Sequence, residues 1–270
     1  LGVGTDQAQE YVTQLLLPLS SGLDEDIDNR KAIANAGPFK MLVQQLRSDS
    51  VRVRMLAAAV MSRLSGDSNE NVQEIANANG IQPLVALLGS EDSKTQEYAT
   101  AVLADMTRRN QEHAVGVASE GGTPLLVAML NSDHSTECKA HVASALGSIA
   151  VEHSTAVGDA GAIEPLVALL ATGHPTAQHE AALALAGIAA GGRKNQDSVK
   201  AAGGLELLVG LLHIAPPGEG TAVLQERNWV KVQSNAAKAL AELARDNPSN
   251  QLSIQEAGGI EPLISLITDT

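Results

Sequence analysis

The stretch Gly80-Ile-Gln-Pro-Leu-Val-Ala-Leu-Leu88 decides the fold of this chain, because close variants of it recur along the whole length. With Leu84 as the reference, the equivalent leucines are Leu42, Leu126, Leu166, Leu208 and Leu263. The successive spacings from Leu42 onward are therefore 42, 42, 40, 42 and 55 residues. A period near forty residues with helical patterning indicates a solenoid, in which each unit packs mainly on its neighbours.

Each repeat contains three predicted helices, of which the first is short and the third is long. The first helix carries Asn or His at one fixed place, and we expect that residue or its neighbour to cap the helix. A turn follows, at Gly80 in the second repeat, and then the helix of the reference leucine. The third helix has paired small residues such as Ala57-Ala58 and Ala181-Ala182, which let neighbouring helices approach closely. The fixed Asn or His positions are Asn29, Asn71, His113, His153, Asn195 and Asn250.

The repeats divide the chain into consecutive segments of one predicted domain, residues 1–270. Residues 1–26 are expected to hold a third helix only, and residues 248–270 a first and a second helix. The C-terminal segment shows no polar cap, so we expect either a longer protein or a partner that covers the last unit. The five complete repeats are predicted at 27–67, 68–109, 110–152, 153–192 and 193–247.

The fifth repeat is longer than the others. From the end of the second helix to a common point on the third, the distance is 17 residues from Leu170 to Gly187 but 30 residues from Leu212 to Glu242. The difference is an insertion of thirteen residues near 213–228, next to the single tryptophan, Trp229. The insertion is either a tolerated loop or a functional one. Trp229 is either an anchor for a partner or packed against the third helix of its own repeat.

Composition limits the partners and the compartment. The net charge of −13 argues against nucleic acid and against an anionic membrane surface, and it favours partners with basic segments. The single cysteine, Cys138, excludes an intrachain disulfide and fits a reducing compartment. No apolar run is long enough for membrane insertion, and no signal peptide opens the chain. We therefore expect an intracellular, cytoplasmic protein, with the nucleus as a second location.

The phrase Ala160-Gly-Ala-Ile-Glu-Pro-Leu-Val-Ala-Leu-Leu170, together with its counterpart ending at Leu88, resembles the turn and second helix of the armadillo-repeat family. The resemblance extends over nearly the whole chain. It implies an all-α, right-handed superhelical solenoid whose long third helices line a concave groove. In the family, extended peptides or other proteins bind in that groove.

Members that resemble importin-α carry Asn, and Trp four residues earlier, on successive third helices, where they hold a basic peptide. Neither residue type stands at the equivalent places here. We therefore do not expect nuclear-signal binding by that mechanism. The Asn-equivalent residues are Arg63, Asp105, Ser148, Gly187 and Glu242, and the Trp-equivalent residues are Ala59, Ala101, Ser144, Leu183 and Lys238.

The predicted groove carries a mixed set of polar side chains, more basic toward the N-terminus and acidic beyond it. Such a distribution favours a polarised, extended ligand. The alternative is that these residues form an ordinary solvated surface. The candidate partner-binding residues are Arg52, Arg63, Glu97, Asp105, Glu137, Ser144, Ser148, Lys238 and Glu242, with Trp229 beside the insertion.

Histidines near the single cysteine suggest a metal site only weakly. His134, Cys138 and His141 fall within eight residues, but a structural zinc site needs four ligands and the sequence supplies no fourth one nearby. No nucleophile elbow, phosphate loop or catalytic triad can be assembled from the repeat positions. We therefore expect no metal, no cofactor and no enzymatic activity.

The sequence predicts a non-enzymatic scaffold or adaptor that binds an extended peptide or a partner protein in the groove. Two alternatives stay open. One is a transport adaptor that reads basic peptides without the Trp and Asn array. The other is a structural component that associates with itself through its uncapped ends.

Overall fold

The computed structural model describes residues 6–20, 26–66, 68–213 and 223–268, and every regular element in these ranges is an α-helix. The helices form two compact units, Leu1–Leu125 and Leu126–Thr270. In chain order the helices are α1 Asp6–Leu19, α2 Asp26–Asn35, α3 Phe39–Gln45, α4 Val51–Ser65, α5 Asn69–Asn77, α6 Ile81–Leu87, α7 Ser93–Arg109, α8 Gln111–Ser119, α9 Gly122–Leu130, α10 Thr136–Asp159, α11 Ile163–Leu170, α12 Pro175–Ala189, α13 Arg193–Ala201, α14 Gly204–Leu212, α15 Val223–Ala244, α16 Pro248–Glu256 and α17 Ile260–Thr268.

The helices follow the three-helix plan in order. The complete sets are α2–α4, α5–α7 and α13–α15, while α1 is a third helix and α16 and α17 are a first and a second. Helix α10 joins the third helix of one repeat to the first helix of the next. Its axis is interrupted at His153, whose φ of −125° and ψ of 35° are not helical. The predicted all-α repeat fold is therefore confirmed.

In the first unit, helix α4 packs between the other two third helices, α1 and α7. The small residues Ala57, Ala58 and Ala59 on α4 are completely buried, and so are Leu64 and Met106. Because alanine adds little bulk beyond the backbone, α4 can approach a helix on more than one side.

In the second unit, helix α12 packs against both α10 and α15. A Cβ added to Gly147 on α10 would lie 3.1 Å from Cα of Ala184 on α12. Three residues further along both helices, a Cβ added to Gly187 would lie 3.2 Å from Cβ of Ala150. The two third helices are therefore in backbone contact, and larger residues at either glycine would push them apart.

The fixed Asn or His of the first helix is not the N-cap, and the sequence prediction was wrong on this point. The caps stand three residues earlier, where Ser68, Asn110 and Asn247 accept hydrogen bonds from backbone N–H groups. The fixed residue instead points back to the preceding third helix and donates to a carbonyl seven residues earlier. These bonds are Asn71 to Leu64 at 2.8 Å, Asn195 to Ile188 at 2.7 Å, Asn250 to Leu243 at 2.9 Å, and His113 Nδ1 to Met106 at 3.3 Å.

A second set of side-chain amides joins the third helix to the end of the second. Gln96 donates to the Leu88 carbonyl at 2.8 Å, and Gln178 donates to Leu170 at 2.9 Å. In the fifth repeat Gln233 donates to Leu212 at 2.9 Å. The separation is eight residues in the first two pairs and twenty-one in the third, so the thirteen inserted residues leave this contact in place.

Part of the insertion is helical. By the repeat alignment, Val230 corresponds to Pro175, the first residue of α12, yet α15 begins seven residues earlier, at Val223. The insertion therefore lengthens the third helix by about two turns, and this corrects the expectation of a loop throughout. Trp229 lies on this extension and is half-buried. The remaining inserted residues, 214–222, lie outside the described residues.

We expect His113→Ala to lower the free energy of unfolding by about 1–3 kcal/mol, because it leaves the Met106 carbonyl buried without a donor. His113→Asn supplies the amide that three other repeats use at this place, and its stability should lie much closer to that of the natural chain. Urea unfolding followed by circular dichroism measures both. Equal losses for the two variants would show that the hydrogen bond contributes little.

Candidate partner-binding groove

Within each unit the predicted groove positions of adjacent third helices are neighbours. In the first unit, Asp105 on α7 accepts a 2.7 Å hydrogen bond from the hydroxyl of Ser65, two residues after Arg63 on α4. In the second unit, Gly187 on α12 packs on Ala150, two residues after Ser148 on α10. The repeat alignment therefore places these positions side by side in both units.

The two carboxylates at these positions are largely buried and paired. The side chains of Asp105 and Glu242 are 15% and 16% exposed. Each forms an ion pair with the arginine three residues later. Asp105 pairs with Arg108, and Glu242 pairs with Arg245 at 2.9 Å. Pairing reduces the negative charge that either carboxylate offers to a ligand. Neither arginine was predicted as a partner from the sequence, although an acid followed three residues later by arginine, at the same place in two repeats, indicates such a pair.

The two carboxylates differ in how well they are satisfied. Both oxygens of Asp105 have a partner, one in Ser65 and one in Arg108. Oxygen Oε2 of Glu242 is buried and has no hydrogen-bond partner among the described residues. The repeat position of Ser65 is occupied by Ala189 in the fourth repeat, so the hydroxyl that holds Asp105 has no counterpart there.

Arg109, the last residue of α7, fixes the junction between the first and second repeats. Its guanidinium donates to the Asn69 side chain at 2.8 Å and to the Gly66 carbonyl at 2.6 Å. Nearby, a backbone hydrogen bond and the Ser68 hydroxyl lower the pKa of the exposed Glu70 carboxyl, and the Arg109 charge acts in the same direction. This arginine therefore stabilises the start of α5 and is not available to a ligand.

Several other candidate residues are also engaged within their own unit. Arg52 pairs with Glu10 on α1 at 3.0 Å, and Glu97 pairs with Lys94 at 2.7 Å. The Ser148 hydroxyl donates to the carbonyl of Ser144 at 3.1 Å, and Ser144 itself is buried. These side chains are therefore already engaged, and a partner would have to compete with the existing contacts.

Three candidate residues are exposed and form no hydrogen bond or ion pair with the described part of the chain. They are Arg63 in the first unit and Glu137 and Lys238 in the second. Each lies on a third helix, α4, α10 or α15. Among the nine predicted polar residues, these three are the ones whose charge a partner could use without breaking an existing contact.

The family model named Armadillo/beta-catenin-like repeat matches residues 68–108 and 150–190 of this chain. An engineered protein of known structure is 31% identical to it, with a TM-score of 0.70 over 91% of this chain and 96% of the other. The chain belongs to the armadillo repeat family. The resemblance of its second helices to that family is thereby confirmed.

Two more solved structures resemble these armadillo repeats. A second engineered protein is 34% identical with a TM-score of 0.78 over 99% of this chain, which spans 62% of the other. A designed armadillo repeat protein in complex with the peptide (KR)4 is 26% identical, with a TM-score of 0.67 over 90% of this chain and 95% of the other. No match was found among curated proteins.

Trp229 belongs to the longest third helix of these armadillo repeats and not to a connecting loop. It is half-buried, with exposed Val230 and Lys231 immediately after it. The described ranges contain no helix that is both long and apolar enough to cross a membrane.

We expect Asp105→Ala to lower the free energy of unfolding by about 1–2 kcal/mol, because it removes two hydrogen-bond partners from a largely buried carboxylate. Glu242→Ala should change it by less than about 0.5 kcal/mol, since the lost ion pair to the largely exposed Arg245 is offset by removal of a buried oxygen that has no partner. Urea unfolding compares the two. Glu152→Ala, at an exposed position of α10, controls for the helix propensity of alanine. An equal loss of stability in Asp105→Ala and Glu242→Ala would show that the two carboxylates contribute alike.

Proposed function

We propose that these armadillo repeats act as a non-enzymatic scaffold that binds an extended segment of a partner protein along the third helices. The observation that carries this proposal is the division among the candidate residues. Most are held by contacts inside their unit, whereas Arg63, Glu137 and Lys238 are exposed on third helices. Helices already fixed by their own contacts form a preformed surface, so binding orders the ligand more than the protein.

The ligand is proposed to contain basic residues. The net charge of −13 attracts a cationic segment over the whole surface. Glu137 supplies an unpaired carboxylate on α10, and a designed armadillo repeat protein of similar structure has been solved with a lysine–arginine peptide. Arg63 and Lys238 then disfavour lysine or arginine beside them, which restricts where along the third helices a basic segment can lie.

Charge reversal in the second unit tests where the ligand lies. We expect Glu137→Lys to weaken binding of an alternating lysine–arginine peptide by roughly five- to tenfold, and Lys238→Glu to strengthen it by a similar factor, since one exposed charge contributes about 1 kcal/mol. Isothermal titration calorimetry at low and physiological salt measures the affinities. Both residues are exposed, so the fold should be unaffected.

The matched control is Glu206→Lys, which makes the same charge change at an exposed position of the second helix α14. It should leave the affinity almost unchanged. If Glu137→Lys and Glu206→Lys weaken binding equally, net charge and not the third-helix surface determines binding. If the natural chain does not bind the peptide at all, the proposal of a basic ligand is wrong.

A further inference from the structure

An open groove lies between the first and second complete repeats, inside the first unit. It is lined by the end of α3, the turn to α4, the start of α4, helix α6 and the turn to α7, and its volume is about 840 Å³. Val51, which is 48% exposed, contributes apolar surface together with Pro83 and Ala86. We call it the turn groove, and we call its α3–α4 side the first wall and its α6–α7 side the second wall.

Arg54 on the first wall stands where other repeats have glutamine. Its counterparts Gln96 and Gln178 each donate one hydrogen bond to the end of a second helix. Arg54 binds just beyond that end, from Nη1 to the carbonyls of Ser48 at 2.6 Å and Asp49 at 3.1 Å. Its Nε and Nη2 form no hydrogen bond within the described residues. Because a neutral amide joins these elements in two other repeats, packing does not account for the positive charge.

Arg47 adds a second positive charge to the first wall. Its counterparts in the second and fourth repeats are Gly89 and Ala171, which have no polar side chain. Nη2 of Arg47 lies 3.4 Å from the carbonyl oxygen of Asn79 and 3.5 Å from Oε1 of Gln82, so both hydrogen bonds are long and weak. The side chain is exposed, and a carboxylate of a ligand can pair with it at little cost.

The second wall is acidic. Glu91 is exposed and forms no hydrogen bond or ion pair with the described part of the chain. Asp92 accepts hydrogen bonds from the N–H and hydroxyl groups of Thr95, at 2.7 and 2.5 Å. Two arginines against Asp49 leave the first wall with one positive charge, whereas Glu91 and Asp92 give the second wall two negative charges. The charge therefore changes sign across an apolar surface.

The turn groove is separate from the candidate positions on the third helices. It reaches the third helix α4 at Val51 and Arg54, in the first turn of that helix. Arg63 follows Arg54 by nine residues on the same helix, which corresponds to about 13 Å along the axis. A ligand in the turn groove therefore uses different side chains from a ligand beside Arg63.

We propose that the turn groove binds a short extended segment of a partner protein, in which one apolar residue stands between an acidic and a basic residue. In an extended chain, neighbouring side chains point to opposite sides, so the apolar one faces Val51 while the charged ones reach the rims. The acidic side chain pairs with Arg47 and Arg54, and the basic one pairs with Glu91. This site lies beyond the function proposed above, and either proposal can fail without the other.

Synthetic peptides of nine residues test the proposal. Two probes carry Asp-Leu-Lys or Lys-Leu-Asp at the centre, flanked by glycine and serine, to cover both chain directions. Control peptides replace Leu by Gly, or carry Lys-Leu-Lys or Asp-Leu-Asp. NMR titration of the ¹⁵N-labelled full chain measures the affinities. At least one probe should bind roughly fivefold more tightly than every control, with its shift changes at the groove residues.

Substitutions on both walls then locate the probe. Arg47→Ala and Arg54→Gln introduce the residues that the fourth repeat has at these places, so the fold should be retained, and circular dichroism verifies this. Each should weaken probe binding by roughly five- to tenfold. Glu91→Lys should weaken it similarly and should strengthen binding of the Asp-Leu-Asp peptide. The matched control is Arg63→Gln, which makes the same charge change on α4 outside the groove and should leave the affinity almost unchanged.

Three results would overturn the proposal. The first is that neither probe binds more tightly than the controls. The second is that Lys-Leu-Lys binds most tightly and is unaffected by Arg54→Gln, which would mean that net charge attracts the peptide. The third is an equal loss of probe binding in Arg63→Gln and Arg54→Gln, which would place the peptide on the third helices or show a general charge effect.

Discussion

The carbonyls at the C-terminal ends of closely packed helices constrain this structure throughout. The last four carbonyls of a helix have no partner within it, and water cannot reach them where one repeat covers the next. Two kinds of side chain solve the problem. Asn71, and its equivalents, donates to the end of the preceding third helix, and Gln178, and its equivalents, donates to the end of the second helix. Each bond also fixes the angle at which one helix leaves another.

With the helix ends satisfied, close approach between third helices becomes possible, and small residues determine how close it is. Gly147 and Gly187 bring α10 and α12 into backbone contact, so little side-chain volume separates them. Two serines of α10 near this contact are consequently not available to a partner. Ser148 donates to its own helix, and Ser144 is buried. A long side chain such as that of Lys238 can still extend its charge beyond the packed layer.

The repeat period, the helix order and the family could be predicted from the sequence because each rests on spacing between residues of one type. The candidate site was harder to predict. Asn71 looked like a cap because caps favour Asn. Its side chain instead points to the Leu64 carbonyl, seven residues earlier at the end of the preceding third helix. Arg108 and Arg245 neutralise carboxylates that looked available; the three-residue spacing permits both pairs, but the burial of the two carboxylates depends on the packing of neighbouring helices. The inserted residues around Trp229 lengthen a helix, because a period gives the size of an insertion and not its conformation.

Repetition also has a consequence for recognition. The second helices bury equivalent apolar faces against their neighbours, since Leu84, Leu126, Leu166 and Leu208 are all completely buried. Apolar complementarity of this kind is therefore shared by all repeats and cannot select a partner. Selection of the proposed ligand therefore falls to charged positions where the repeats differ, such as Glu137 and Lys238 on the third helices. In this fold, apolar side chains stabilise the packing of one repeat on the next, and charged side chains determine which partner is preferred.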